Sequence, residues 1–546
     1  MTLHLLLRSR WRTLRIAPLA AALATAAACA ACAGGVLPPR EGRGIGTRPA
    51  LVVVITVDQL ASDYLERYGA TMTGGMRRLL DESAVWPRAE QDHAITETAP
   101  GHASILSGRF PVHTGISSNS QGVNTREAPL IGSTDLGASP FRFKGTTLYD
   151  WMKATDPSAR ALSVSRKDRG AILSMGAAKT EVFWYASNGT FTTSSFYREA
   201  LPGWVNNFNA RRSAQQLAGR RWDLLLSEDK YPAPDTIPRE ADGIDIVFPH
   251  TMPSDPADAP RQLSQFPWMD SVTLAFALDG VQALALGASL RRTDLLAVSL
   301  STTDAVGHRY GPDSREIHDQ LLRLDRYLGQ FLDSLFTLRD SRRIIVVVTA
   351  DHGIAPFPDL RSPFYDNQRA QRVDQRRAMS RVKQQMLADG VDTAAVTYDD
   401  GFRIVDLASF QRTGKDPETY AQLWVQEMRR FNGVLRADLV ADLSQADTVK
   451  DDVARRWMHM FAPGDAVRAV VTLTPFSYPL LVDFATHGSP HDYDARVPIL
   501  IWGAGIPAGV RGGSARVVDI APTLAQLLGI RPRETLDGRP LPLTVP

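Results

Sequence analysis

Four short runs of almost uninterrupted aliphatic residues set the limits on how this chain can fold. They are "LVVVITV" from Leu51, Leu295–Leu300 in "DLLAVSLSTTD", Ile344–Thr349 in "RRIIVVVTADHG", and Val497–Trp502 in "VPILIWGAG". Runs that are apolar on both faces suit the central strands of a parallel sheet covered by helices. Helical patterns such as residues 315–338 lie between them, so the expected class is α/β, an open and mostly parallel sheet with helices on both faces. In such sheets ligands bind beyond the carboxyl ends of the strands. The first three runs lead there to Asp58, Asp304 and Asp351. One such aspartate would pass as a helix cap or turn former; three call for a joint explanation.

The chain has 546 residues, 44% hydrophobic and 22% charged, an ordinary globular composition. Its start differs. Arg8, Arg10, Arg12 and Arg15 precede the Ala-rich run "IAPLAAALATAAACAACAGG", and no Asp or Glu occurs before Glu41. This pattern reads as a secretory signal peptide over residues 1–33, followed by a Gly/Pro/Arg linker over 34–49. Export to the periplasm or medium is expected. Both cysteines, Cys29 and Cys32, lie in that segment. Cleavage near Ala33 leaves a mature chain without disulfide or thiol nucleophile, and lipidation of Cys29 or Cys32 is the alternative. No later run has the roughly 18 apolar residues of a membrane span. Of 61 basic and 59 acidic side chains, four arginines leave with the signal, and the near-neutral balance gives no support for a nucleic-acid partner. Residues 50–546 read as one catalytic domain. Two stretches that fit the strand–helix alternation poorly, about 185–290 and about 370–480, read as caps over the sheet edge.

Metal-ligand residue types recur at the strand ends. "DAVGH" sets Asp304 and His308 four apart, which on a helix brings both to one face. "ADHG" supplies Asp351 and His352, and "THGSPHDYD" supplies His487 and His491. Asp58 completes two sets of ligands suited to a two-metal site. Each fragment alone is weak, and together they are specific. In "ITETAPGHASILSGR", Pro100 reads as the first residue of a helix, with the Thr just before it as the cap. The same Thr at a helix N-terminus is placed to meet an anion.

In this order, "VDQL", "TAPGHASILSG", "STTDAVGHRYGPDS", "TADHG", "HGSPHDYD" and the closing "VVDIAPTLAQLLGI" resemble the alkaline phosphatase superfamily, closest to its exported branch with a Thr nucleophile, the PafA-like enzymes. The resemblance covers Leu51 to the C-terminus and implies a role for each matching residue. Thr98 is the implied nucleophile. Asp304, His308 and His487 are implied ligands of one zinc ion; Asp58, Asp351, His352 and Thr98 of a second. Asn119 of "GISSNS" and Lys167 and Arg169 of "SRKDRGAIL" are the implied holders of the phosphoryl oxygens. The implied substrates are small phosphate monoesters. Read without the resemblance, Asn119 is a turn residue and Lys167 and Arg169 a solvated charged turn. His102 reads as packing under the site, and His491 as a neighbour of the ligands or a substrate-facing group.

A formylglycine sulfatase would need a C/S-x-P-x-R signature, which "TAPGH" lacks. A phosphodiesterase of the nucleotide pyrophosphatase branch shares the ligand set. A monoester carries about one more negative charge near neutral pH, so Lys167 and Arg169 favour the monoesterase. A degenerate relative that only binds phosphate would be expected to have lost ligands that this sequence keeps.

Overall fold

The computed structural model describes residues 48–544; the signal-peptide reading, and nearly all of the linker, lie outside the described residues. The four aliphatic runs form strands of one sheet. Its strands are β1 (Leu51–Val57), β2 (Ala84–Glu90), β3 (Ala161–Ser165), β4 (Glu181–Tyr185), β5 (Phe191–Thr192), β6 (Asp294–Leu300) and β7 (Ile344–Thr349), joined late in the chain by two more. Between these come four strands of a smaller sheet, β8 (Val396–Tyr398), β9 (Phe402–Ile404), β10 (Val434–Leu439) and β11 (Val467–Leu473). The late members of the main sheet are β12 (Arg496–Gly503) and β13 (Gly509–Val510). The order across the nine-stranded sheet is β13-β2-β12-β7-β1-β6-β3-β4-β5. Strand β1 is parallel to both β6 and β7, and β6 to β3, so the three Asp-terminated strands are adjacent and end at one edge. Every residue of β1, β6 and β7 is buried, as their unbroken apolar runs require.

The fourth run behaves differently. Strand β12 is antiparallel to both β7 and β2. It is buried nearly throughout, and burial on both faces yields the same residue pattern whichever way a strand points.

The helices that matter for the site are α1 (Thr98–Ser107), α2 (Asp168–Leu173), α3 (Trp268–Ala283), α4 (Thr302–Tyr310) and α5 (Arg315–Leu338). Helix α3 lies inside the stretch read from sequence as a cap, yet it packs on β3 and β6 as part of the layer covering the sheet. Phe276 of α3 stacks on Phe191 of β5 at 4.0 Å between centroids. In the stretch 370–480 the smaller sheet is antiparallel throughout, in the order β8-β9-β11-β10. It has its own core around Trp424, Tyr420, Phe402 and Met386, separate from the core under the main sheet. No helix among the described residues is long and apolar enough to cross a membrane.

Candidate metal and phosphoryl-transfer site

The site lies at the carboxyl edge of β1, β6 and β7. Asp58 directly follows β1, and Asp351 and His352 follow β7 after one residue. All three are fully buried. One ligand atom from each falls within a 4.8 Å cluster, as does one from each of Asp304, His352 and His487. Asp304 and His308 sit one turn apart on α4, with His308 Nε2 3.2 Å from Asp304 Oδ1. His487, from the loop before β12, brings its Nε2 within 3.6 Å of the same oxygen and 3.2 Å of His308 Nε2. Of the seven residues singled out as ligands, the six other than Thr98 therefore converge on one spot from four segments of chain.

The imidazoles are prepared in the same way. His308 Nδ1 faces the carbonyl of Ala485 at 2.6 Å, His487 Nδ1 that of Thr96 at 2.7 Å, and His352 Nδ1 that of Gly353 at 2.9 Å. Each carbonyl takes the Nδ1 proton and leaves the Nε2 lone pair turned inward, the arrangement that metal-bound histidines adopt. Asp58 Oδ1, Asp351 Oδ2 and His352 Nε2 are buried and lack a well-aligned hydrogen bond, although His352 Nε2 lies 3.4 Å from Asp58 Oδ1 and His102 Nδ1 3.0 Å from Asp351 Oδ2. Buried oxygens and an imidazole nitrogen without good hydrogen bonds this close together are costly unless a cation satisfies them. The donor set of carboxylates and imidazoles fits divalent metal.

The electrostatics agree. Burial opposes charge on Asp58 and Asp304, but the Lys167 ammonium and the neighbouring imidazoles hold both carboxyls below their usual range. Burial would lower His352, yet Asp351 and Asp58 push it up to about 9. His487 is drawn down to about 3 by burial and by His352. A dication between these carboxylates would stabilise the neutral imidazoles that ligation requires.

Thr98 is buried beside these ligands. It is not the helix cap: α1 starts at Thr98 itself, Glu97 holds the cap position with extended backbone, and Pro100 is third in the helix rather than first. The first-turn N–H groups of a helix have no intrahelical acceptor, so proline is tolerated there. The buried N–H of Ala99, free of any helix carbonyl, donates to Asn119 Oδ1 (3.0 Å). Thr98 Oγ1 is left to accept from Lys167 Nζ (3.0 Å). The same ammonium lies 2.6 Å from Asp58 Oδ2 and 2.7 Å from Asp304 Oδ2, so the "RKDR" run is not a solvated turn at Lys167. Arg169, on α2, is partly exposed, and its guanidinium lies 3.8 Å from Asp168. His102 packs beneath, with Nδ1 2.9 Å from the Thr98 carbonyl and Nε2 2.9 Å from Ser299 Oγ. His491 Nε2 reaches the Leu473 carbonyl at 2.8 Å.

Contact between main chains sets the position of Thr98. A Cβ on Gly101 would stand 2.4 Å from the Asp351 carbonyl oxygen and 2.7 Å from its Cβ. Only glycine lets α1 lie this close to the end of β7.

Two residues absent from the sequence reading also shape the site. Gln59 is fully buried with φ of 68°, a strained value for a residue other than glycine. Its N–H donates to Asp351 Oδ1 (3.1 Å) and its Nε2 to Asp304 Oδ1 (3.1 Å), so one side chain spans both ligand sets. Gly307 makes room for it, since a Cβ there would overlap Gln59 Oε1. Glu97 accepts from the Asn119 N–H (2.6 Å). Burial raises the Glu97 carboxyl despite that bond and the nearby Arg169 charge. The available signals were adjacency to Asp58 in "VDQL" and to Thr98 in "TET".

The chain resembles proteins of known family and structure. Residues 52–423 match the family described as type I phosphodiesterase / nucleotide pyrophosphatase. Alkaline phosphatase PhoK of a Sphingomonas species is 31% identical over 530 residues, 91% of either chain. Alkaline phosphatase PafA of Elizabethkingia meningoseptica is 29% identical over 90% of this chain and 94% of its own. The crystal structure of wild-type PafA matches with a TM-score of 0.82 at 26% identity, covering 91% of this chain and 99% of that one. The chain therefore belongs to the type I phosphodiesterase / nucleotide pyrophosphatase family, within its group of PafA- and PhoK-like alkaline phosphatases.

Proposed function

We propose that this protein is an exported, zinc-dependent alkaline phosphatase that hydrolyses phosphate monoesters through a phosphothreonine intermediate. The observation that carries the reading is the meeting of Thr98 Oγ1, Lys167 Nζ and the carboxylates of Asp58 and Asp304 in one buried cluster.

In this reading Asp58, Asp351, His352 and Thr98 hold one zinc ion, and Asp304, His308 and His487 the other. Bound there, the pair supplies Lewis acidity that lowers the pKa of the Thr98 hydroxyl and stabilises the departing ester oxygen. Thr98 attacks phosphorus in line and gives its proton to solvent; the bond from phosphorus to the ester oxygen breaks, and that oxygen takes a proton from water as the alcohol departs on the far side. Lys167, Arg169 and the Asn119 amide meet the charge spread over the equatorial oxygens of a loose transition state. The N-terminal turn of α1 adds a field that favours the dianion. Water then attacks the phosphothreonine from the vacated side and releases inorganic phosphate. A Sec-type signal delivers the enzyme to the periplasm or medium, with a lipid anchor at Cys29 or Cys32 as the alternative.

The family's description gives a diesterase reading its standing. The discriminating feature is cationic charge at the phosphoryl group, which favours the more highly charged monoester. The test is kcat/KM of the zinc-loaded protein for an aryl phosphate monoester and the matching diester at alkaline pH, repeated with Lys167 and Arg169 both replaced by Ala. Strong monoester preference that collapses in the double variant supports the phosphatase. Diester preference, or equal losses for both substrates, overturns it.

A further inference from the structure

The "SRKDR" run holds a third cation that the mechanism above does not use. Lys167 turns in to the carboxylates; Arg166, one residue earlier in the bend after β3, lines a different space. That space is a cavity of about 620 Å³ whose lining includes Asp304, His308, Arg309, Arg239 and Asp242. Arg239 is paired with Asp359 at 3.0 Å and Arg309 with Asp245 at 3.1 Å. Arg166 is partly buried, its Nε is buried with no hydrogen-bond partner, and its guanidinium enters no ion pair among the described residues.

The nearby carboxylates do not answer it. Asp58 and Asp304 are engaged by Lys167. Asp270 accepts from Thr302 through Oδ1 and from Gln320 through Oδ2. Asp242, also in the lining, is exposed and lies within hydrogen-bond or ion-pair range of no arginine among the described residues. A guanidinium withdrawn from water without a partner is costly, and a planar fork of donors suits a carboxylate or phosphate. The cavity opens beside Asp304 and His308, the ligand set on the departing-oxygen side in the proposed reaction, so its occupant is the leaving group.

We infer that Arg166 binds a second anionic group, phosphate or carboxylate, on the alcohol portion of the substrate. This inference rests on the phosphatase reading and deepens it: the favoured substrates are phosphomonoesters whose leaving alcohol is itself anionic. Arg239 and Arg309 are already neutralised by Asp359 and Asp245, so Arg166 supplies the contact.

The test uses the zinc-loaded full protein and a series of straight-chain alkanediols of three to six carbons. Each length is assayed as the monophosphate, the bisphosphate, and the monophosphate bearing a terminal carboxylate. The expected result is a kcat/KM preference of about tenfold for the anionic leaving group at the length that spans the cavity, the size of one charge-assisted contact. For the bisphosphate this is counted after the twofold statistical advantage of two ester ends. R166A should bring the ratio to near one, and R166K should keep part of it, because an ammonium retains charge and loses the fork. A larger preference in the bisphosphate arm identifies phosphate as the recognised group, and in the carboxylate arm carboxylate. Monoester turnover with no preference at any length in the wild-type protein overturns the inference and leaves the phosphatase intact, and this arm needs no variant. An unchanged ratio in folded R166A overturns it likewise. Absence of monoester turnover alongside diester turnover overturns the phosphatase reading and the inference together.

Discussion

The two ligand sets are made from the same residue types and differ in how they are held. Asp58, Asp351 and His352 follow adjacent parallel strands, and their side chains are 0% exposed. Asp304 and His308 ride on a helix and His487 on a loop, with side-chain exposures of 5%, 26% and 6%. The first set is fixed by the sheet, which cannot shift without breaking the pairing of β1 with β7. The second borders the cavity that Arg166 lines. In the proposed reaction this arrangement holds the Thr98 side on the sheet and leaves the departing side more open to solvent.

This contrast can be broken by experiment. Asp351→Ala should lower monoesterase kcat/KM about a thousandfold or more, the size expected when several kcal/mol of Lewis-acid stabilisation are lost. His308→Ala should cost less and recover partly with excess zinc, because its position is open to exchange. Equal losses with equal zinc dependence, read by metal analysis and kinetics together, would erase the distinction. Gln59→Ala should cost about 10- to 100-fold in activity or metal affinity, the usual effect of losing a group that orients ligands. Because Gln59 bonds to Asp351 and Asp304, zinc should be lost from both positions; loss from one alone would show that the sets are independent. Glu97→Gln should cost about tenfold in kcat/KM by loosening Asn119 on the phosphoryl side, with zinc content unchanged. The smallest effect belongs to a bond outside both sets. His491→Ala removes the contact with the Leu473 carbonyl and should cost about 1 kcal/mol in urea unfolding.

The sheet was legible because strands buried on both faces must be aliphatic throughout, and the ligand residues were legible because acids and histidines at such strand ends have few other uses. Direction was not: β12 reads like β1 and runs the other way. Composition also misled for residues 268–283, where a helix packed on the sheet lies among Trp, Pro and Asn typical of a surface excursion. Pro100 drew the start of α1 too late, since a proline in any of the first positions removes an N–H that no helix carbonyl would have met. Gln59 and Glu97 escaped for another reason. Their roles rest on partners such as Asp351, Asp304 and Asn119, up to 292 residues away in the chain, and no local pattern encodes such pairs.

The bare backbone contact at Gly101 bears on how proteins of this kind diverge. Because α1 rests directly on the Asp351 main chain there, the separation of Thr98 and Asp351 is set first by the lack of a side chain at Gly101. Loops, the inserted lobe around Trp424 and the residues lining the cavity are then free to change over generations without resetting that separation. Substrate range and reaction chemistry become separately heritable: one drifts at the surface while the other is kept by a single missing methyl group.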